Sequence, residues 1–185
     1  EQAAAERNAR RERALADAQA QEAALQAYLE QMSGLLIDQG LRNSTPDAEV
    51  RVVARAWTLT VLRRVKGERK GTVLRFLHES GLINTENTIV SLAGANLRRA
   101  NLRGANLYKA NLFEADLRRA DLREADLGEA DLRHLRHLRQ TASFGVILGS
   151  ANLSEADLRG STYNSQTQWP AGFDPQAAGA ILVEE

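Results

Sequence analysis

Leucine recurs at every fifth position from Leu92 to Leu132, nine in register, and Ala stands two residues before each of the last eight. A period of five suits neither regular element. On an α-helix each residue turns about 100°, so Leu97, Leu102, Leu107 and Leu112 would wander around the cylinder without forming a stripe. On a flat strand five is an odd step, so successive Leu side chains would alternate between faces. Within one unit, however, Ala and Leu are two apart and share one side of a short extended piece. A bend after each piece returns the next pair to the same interior. The unit is a short strand plus a corner, and a chain that turns a corner every five residues coils into a solenoid whose units bury their apolar sides only against neighbours.

The unit Ala95-Asn96-Leu97-Arg98-Arg99 and its successors resemble the pentapeptide-repeat family: Ala, then Asn or Asp, then Leu, then two variable residues. The resemblance implies a β-solenoid, a right-handed quadrilateral β-helix with four units per turn. The helical stretch around Trp57 to Ile83 and the ending after Tyr163 also resemble bacterial, cyanobacterial-like members, so the likeness runs nearly from Leu25 onward.

The chain has 185 residues and a formal charge of zero, enough for a small domain plus a solenoid. With no Cys, disulfides, a thiolate nucleophile and Cys-based metal sites are excluded. No apolar run reaches membrane-spanning length and no signal pattern opens the sequence, which fits a cytoplasmic chain. Residues 1–24 are almost all Ala, Gln, Glu and Arg, strong helix formers, and read as a helical stalk continuing from a trimmed N-terminal part.

From Leu25 the series Leu25, Tyr28, Leu29, Met32, Leu35, Leu36 has helical spacing and ends near Gly40. Thr45 as N-cap and Pro46 at the first helical position start a second helix with the stripe Val50, Val53, Ala54, Trp57, Val61, Val65, closed by Gly67. A third runs from about Glu68 to Glu79 and buries Val73, Leu74 and Leu77. Residues 25–87 are thus a three-helix capping domain over the N-terminal end of a solenoid spanning 88–165. Terminal coils need covers because they show unpaired backbone and an apolar cross-section. Residues 166–185, with Trp169 and Phe173, supply the C-terminal cap. Leu132 to Leu153 is 21 residues, so the register slips by one, and Arg136 would point inward if the coil continued. We expect an excursion near residues 133–143.

If four units make a turn, Asn96 lies over Asp116, Asn101 over Asp121, Asn106 over Asp126 and Asn111 over Asp131. Each Asp stacks on an Asn, which avoids like-charge repulsion and leaves no carboxylate pair for acid–base work. His134 and His137 lack further partners at metal-ligand spacing, and His78 reads as a surface residue. There is no nucleophile triad and no phosphate loop; the segment 67–71 lacks the Walker spacing. No catalytic residue, cofactor or metal is expected.

The arginines behave differently. Arg98 would stack on Arg118, Arg99 on Arg119 and Arg103 on Arg123, concentrating cations where the Asp series avoids concentrating anions. These six form the candidate interaction face, for an acidic partner surface unless Asp116 and Asp121 neutralise them in place. A second cluster, Arg63, Arg64, Lys66, Arg69, Lys70 and Arg75, gives residues 41–89 nine Lys/Arg against five Asp/Glu but no base-reading pattern, so nucleic acid is an unlikely partner.

The resulting expectation is a non-enzymatic protein–protein interaction or scaffold module, with an unidentified protein partner and an oligomer possible. In the resembled bacterial group a membrane-spanning part often precedes such a helical region, which implies a possible tether upstream. Other pentapeptide-repeat proteins mimic DNA on gyrase, which implies a topoisomerase-interacting alternative. That mimicry needs an acidic rod, and residues 90–165 carry eleven Lys/Arg against nine Asp/Glu.

Overall fold

The computed structural model describes residues 2–83, 88–135, 147–149, 151–163, 165 and 167–183. Helix α1 spans Gln2–Ile37, a 3-10 turn covers Leu41–Asn43, α2 spans Glu49–Arg64 and α3 spans Glu68–Glu79. Leu25, Tyr28, Met32 and Leu35 bury one side of α1, while Leu29 and Leu36 are half-buried at its flanks. The Tyr28 ring meets Phe76 edge-on at 6.2 Å and its hydroxyl pairs with Thr58 at 2.9 Å, so the polar tip of a buried aromatic is satisfied.

Two expectations about α2 need correction. The helix starts at Glu49, with extended Ala48 as its N-cap and no side-chain cap. Thr45-Pro46-Asp47-Ala48 is instead a β-turn closed by Ala48 N–H to the Thr45 carbonyl at 3.0 Å, and Pro46 takes the second turn position that its fixed φ favours. The apolar stripe is also rotated. Val53 is 37% exposed and Val50 and Trp57 are half-buried, whereas Ala54, Thr58, Val61, Leu62 and Val65 face inward together with Arg51. Arg51 is tolerated there because its Nε donates to Ser44 Oγ at 3.0 Å.

Beyond the helices the chain coils. Parallel bridges join Asn96 to Asp116, Asn101 to Asp121, Asn106 to Asp126 and Asn111 to Asp131, a spacing of twenty residues. Each stack expected from the repeat is present. Leu97 N–H donates to Asp116 O at 2.9 Å and Asp116 N–H to Ala95 O at 2.9 Å, so each unit exchanges hydrogen bonds with the coil below. Every Leu from Leu92 to Leu132 is buried, and so is every repeat Ala except half-buried Ala105. Long strands are absent over residues 95–135 because each unit bends after a single bridging residue. The corner is an i to i+3 turn, for example Ala100 N–H to Leu97 O at 3.0 Å, whose third residue has positive φ.

Lower in the coil the bridges become Asp121 to Ile147, Asp126 to Asn152 and Asp131 to Asp157, each twenty-six apart, so six extra residues are inserted between Asp131 and Ile147. Residues 133–135 stay on the coil, since Glu114 N–H reaches Arg133 O at 3.0 Å and His134 N–H reaches Arg159 O at 3.3 Å. The excursion therefore begins later than residue 133; residues 136–146, and Arg136 and His137 with them, lie outside the described residues. At the far end β1 (Thr162–Tyr163) pairs in parallel with β2 (Ile181–Leu182). Trp169 stacks on Phe173 at 5.4 Å and meets Tyr163 edge-on at 5.3 Å.

Candidate interaction face

The Asn or Asp of each unit has a local task. Its Oδ1 accepts the backbone N–H two residues on, at 3.2 Å from Asn96 to Arg98 and 3.2 Å from Asp116 to Arg118. This Asx turn fixes the corner and explains why Asn and Asp fill the position in every unit from Asn96 to Asp131. It also directs the side chain that follows. Where the unit reads Asp-Leu-Arg, the guanidinium folds back onto its own carboxylate: Arg118 Nε and Nη2 lie 2.8 and 2.6 Å from Asp116, and Arg123 Nε and Nη2 lie 2.8 and 2.5 Å from Asp121. Arg103 reaches Glu124 at 2.6 Å. Burial acts to raise the Asp116 pKa, but the Arg118 hydrogen bonds and charge outweigh it and hold it below the usual carboxylate value; Arg123 does the same for Asp121.

The first coil has Asn at this position, so Arg98 has no carboxylate of its own. Asn96 Oδ1 instead accepts Lys70 Nζ at 3.0 Å. Arg98 and Arg99 are exposed and, among the described residues, neither makes an ion pair. Arg99 sits at a positive-φ corner directly above the Arg118–Arg119 corner, to which its N–H bonds at 2.9 Å. Desolvation lowers the Arg119 pKa, and the charges of Arg99 and Arg98 lower it further, so the three cations crowd one another. Arg103, Arg118 and Arg123 thus pair with carboxylates, whereas Arg98 and Arg99 stand exposed beside half-buried Arg119 on one side of the coil.

Half of the helical basic cluster is engaged. Lys66 pairs with Asp17 and Arg69 with Glu22, both at 2.9 Å, while Arg63, Arg64 and Arg75 are exposed. Lys70 is only 3% exposed. Its ammonium donates to Asn96 O at 2.6 Å and Arg98 O at 3.1 Å, binding α3 to the corner that presents Arg98. Burial pushes its pKa down to about 8. Lys70 belongs to the second basic cluster of the sequence, yet 70, 73, 74 and 77 are one helical stripe, and that spacing carries the signal of its burial. His134 packs edge-on against Phe113 at 5.5 Å. No group of three or more His, Asp or Glu side chains that could hold a metal exists among the described residues.

The family model for pentapeptide repeats matches residues 90–119 and 105–134 in eight copies, the same stretch whose bridges repeat at twenty. A solved pentapeptide repeat protein from Nostoc Pcc 7120 is 38% identical, covering 51% of this chain and 69% of its own, with a TM-score of 0.27. The chain belongs to the pentapeptide-repeat family. A second solved pentapeptide repeat protein, from the cyanobacterium Cyanothece 51142, is 35% identical, covering 48% of this chain and 51% of its own, with a TM-score of 0.25. Among curated proteins, none matches the chain. Within the pentapeptide repeat here, the Asn-to-Asp switch between the first and second coils gives Arg118 and Arg123 a carboxylate two residues earlier that Arg98 and Arg103 lack. No helix among the described residues is long and apolar enough to cross a membrane.

Proposed function

We propose that this pentapeptide-repeat protein is a non-enzymatic interaction module that docks an acidic protein surface on Arg98 and Arg99. Membership of the family supports a protein-interaction role on a right-handed, four-sided coil, with α1 to α3 as its N-terminal cap. The observation that carries the site is that Arg98 and Arg99 are exposed and make no ion pair among the described residues, beside Arg103, Arg118 and Arg123, which are each matched to a carboxylate. Chain-matched arginines are poor bait for a partner, because the partner would have to displace a formed bidentate pair. Exposed Arg98 and Arg99 ask for no such exchange, and they stand on a rigid backbone that presents them at fixed spacing.

The test compares the chain with an Arg98→Glu/Arg99→Glu variant in affinity capture from bacterial lysate at low and moderate salt. Retention of an acidic protein by the unaltered chain alone, weakening as salt rises, supports the face. Equal retention by both, at equal thermal stability, overturns it. The topoisomerase alternative rests on no observation of this chain, and gyrase subunits among the retained proteins would be the result that favours it.

A further inference from the structure

Helix α1 is long for what it packs against. From Leu25 onward it lies on α2 and α3, but residues 2–17 are exposed throughout apart from the half-buried Ala9. Among the described residues no hydrogen bond, ion pair or ring contact joins residues 2–16 to another element; the first such link is Asp17 to Lys66 at 2.9 Å. An unsupported helix of this length is marginal in water. Its charges make matters worse. Arg7 and Arg10, Arg10 and Arg13, and Arg7 and Arg11 are like-charged neighbours three or four apart, against only Glu6 and Glu12. From residue 14 to residue 41 the pattern reverses, with no Lys or Arg and with Asp17, Glu22, Glu30 and Asp38.

We propose that the exposed part of α1 pairs with α1 of a second copy of this chain, antiparallel, with Leu15 at the two-fold axis. Leu15 is 61% exposed and is the sole large apolar side chain between residues 2 and 24. Ala4, Arg11, Ala18 and Glu22 share its side of the helix, at three-, four- and seven-residue steps. A parallel pair would set Arg7–Arg13 against itself. The antiparallel pair lays each basic half over the other copy's acidic half, a self-complementary arrangement of the kind a two-fold interface requires. With Leu15 facing Leu15, Asn8 stands opposite Glu22 of the other copy, and Arg11, one turn along, reaches that carboxylate. Glu22 already accepts Arg69 Nε at 2.9 Å, and a carboxylate has lone pairs for a second cation. The seam lies about a quarter of a turn from the buried side of α1, so pairing leaves the core of the capping helices undisturbed. A membrane surface is a poorer occupant, because one Leu does not make an apolar face.

The experiment is sedimentation of the full chain across a concentration range, at low salt and at about 0.5 M salt. We expect a particle of twice the 20.3 kDa chain mass that dissociates on dilution and more readily in salt. Arg11→Glu and Glu22→Arg should each weaken pairing by about tenfold, since each sets two like-charge contacts in place of two opposite ones, and an equimolar mixture of the two should regain it. A chain that stays monomeric throughout, monomers that bind anionic vesicles instead, or a dimer indifferent to both changes would overturn the proposal. Should Glu22→Arg misfold by losing the Arg69 pair, Leu15→Cys is the second measurement. The chain has no other Cys, so a disulfide-linked dimer on mild oxidation supports the axis and its absence refutes it.

Discussion

Each corner of the coil sets one residue at positive φ, and eight of those described are Arg, Lys, Glu or His rather than Gly. A left-handed conformation costs a side chain about 1–2 kcal/mol, so the repeat tolerates a distributed strain in exchange for charged groups at every corner. Gly104 and Gly160 occupy the same position with φ of 65° and 73°. A Cβ at Gly104 would meet nothing, whereas at Gly160 it would lie 2.6 Å from His134 Cε1. Gly104→Ala should therefore cost about 1 kcal/mol and Gly160→Ala roughly 1 kcal/mol more, as the imidazole is forced off its rotamer. Adding His134→Ala to Gly160→Ala should cancel the difference in a chemical denaturation cycle; a Gly160→Ala cost equal to that of Gly104→Ala would show that the ring moves freely. The same scale corrects the reading of the acidic series. Asp131 does stack on an Asp, Asp157, and the pair persists because Arg133 lies 2.8 Å from the first and 3.5 Å from the second, with Arg159 at 2.7 Å from Asp157. Arg159 hydrogen bonding, helped by Arg133, holds the Asp157 pKa down to about 2. A depressed carboxylate stabilises the fold above its unfolded value near 3.9 and ceases to do so as pH falls through about 2. An Arg133→Met chain should lose melting temperature at pH 7 and converge with the parent at pH 2; an equal gap at both pH values would assign the loss to packing.

At the scale of elements, the narrow interior makes single leucines expensive. Leu112 is fully buried, and Leu112→Ala should cost about 2–5 kcal/mol, because a coil pinned by hydrogen bonds on both sides cannot collapse onto the cavity. A loss near 0.5 kcal/mol, typical of a surface site, would contradict that interior. This element was legible beforehand because its information is local: a five-residue period, a bend, and the twenty-residue stacking that follows. α2 was less so. Thr45 and Pro46 carry equally good signals for a helix start and for a β-turn, and the choice falls to the burial of Arg51 against Ser44, a contact no periodicity announces. The arginine face was half legible for the same reason. Stacking followed from the repeat, but whether each guanidinium turns inward to a carboxylate or outward depends on Asp or Asn two residues earlier, together with Lys70 arriving from α3. Lys70 itself gives α3 a pH signature. Its pKa is about 8 in the fold and 10.5 in a free chain, so the unfolded state binds more protons between those values and stability rises with pH across that window, by at most about 3 kcal/mol. Lys70→Met should abolish the rise while lowering stability at pH 7 by about 1–3 kcal/mol through the orphaned carbonyls of Asn96 and Arg98, as read by denaturation at pH 7 and pH 10.

Over the whole molecule the question is whether helices and coil melt as one body. The polar part of the joint is small: Lys70 on the Asn96 corner, Asn101 N–H to Gly67 O at 3.2 Å, and Arg55 Nη2 to Ala93 O at 2.8 Å. Gly71, inside α3, decides the matter. A Cβ there would stand 2.5 Å from the Asn101 carbonyl oxygen, which is backbone and cannot swing aside. In an isolated helix Gly→Ala gains about 0.5–1 kcal/mol, because Gly is the more costly residue to order. Against the coil the same methyl must push α3 and Asn101 apart, at about 1–3 kcal/mol. The two scales thus predict opposite signs for one substitution. If cap and coil fold as one unit, Gly71→Ala lowers the midpoint of a single transition followed by far-UV circular dichroism. If they unfold separately, the helical transition moves up while the coil transition stays where it was. We expect the first outcome, because Leu82 and Ile83, directly after α3, are fully buried and belong to the same continuous core as Leu92 and Leu97, so neither part can unfold without exposing apolar surface of the other.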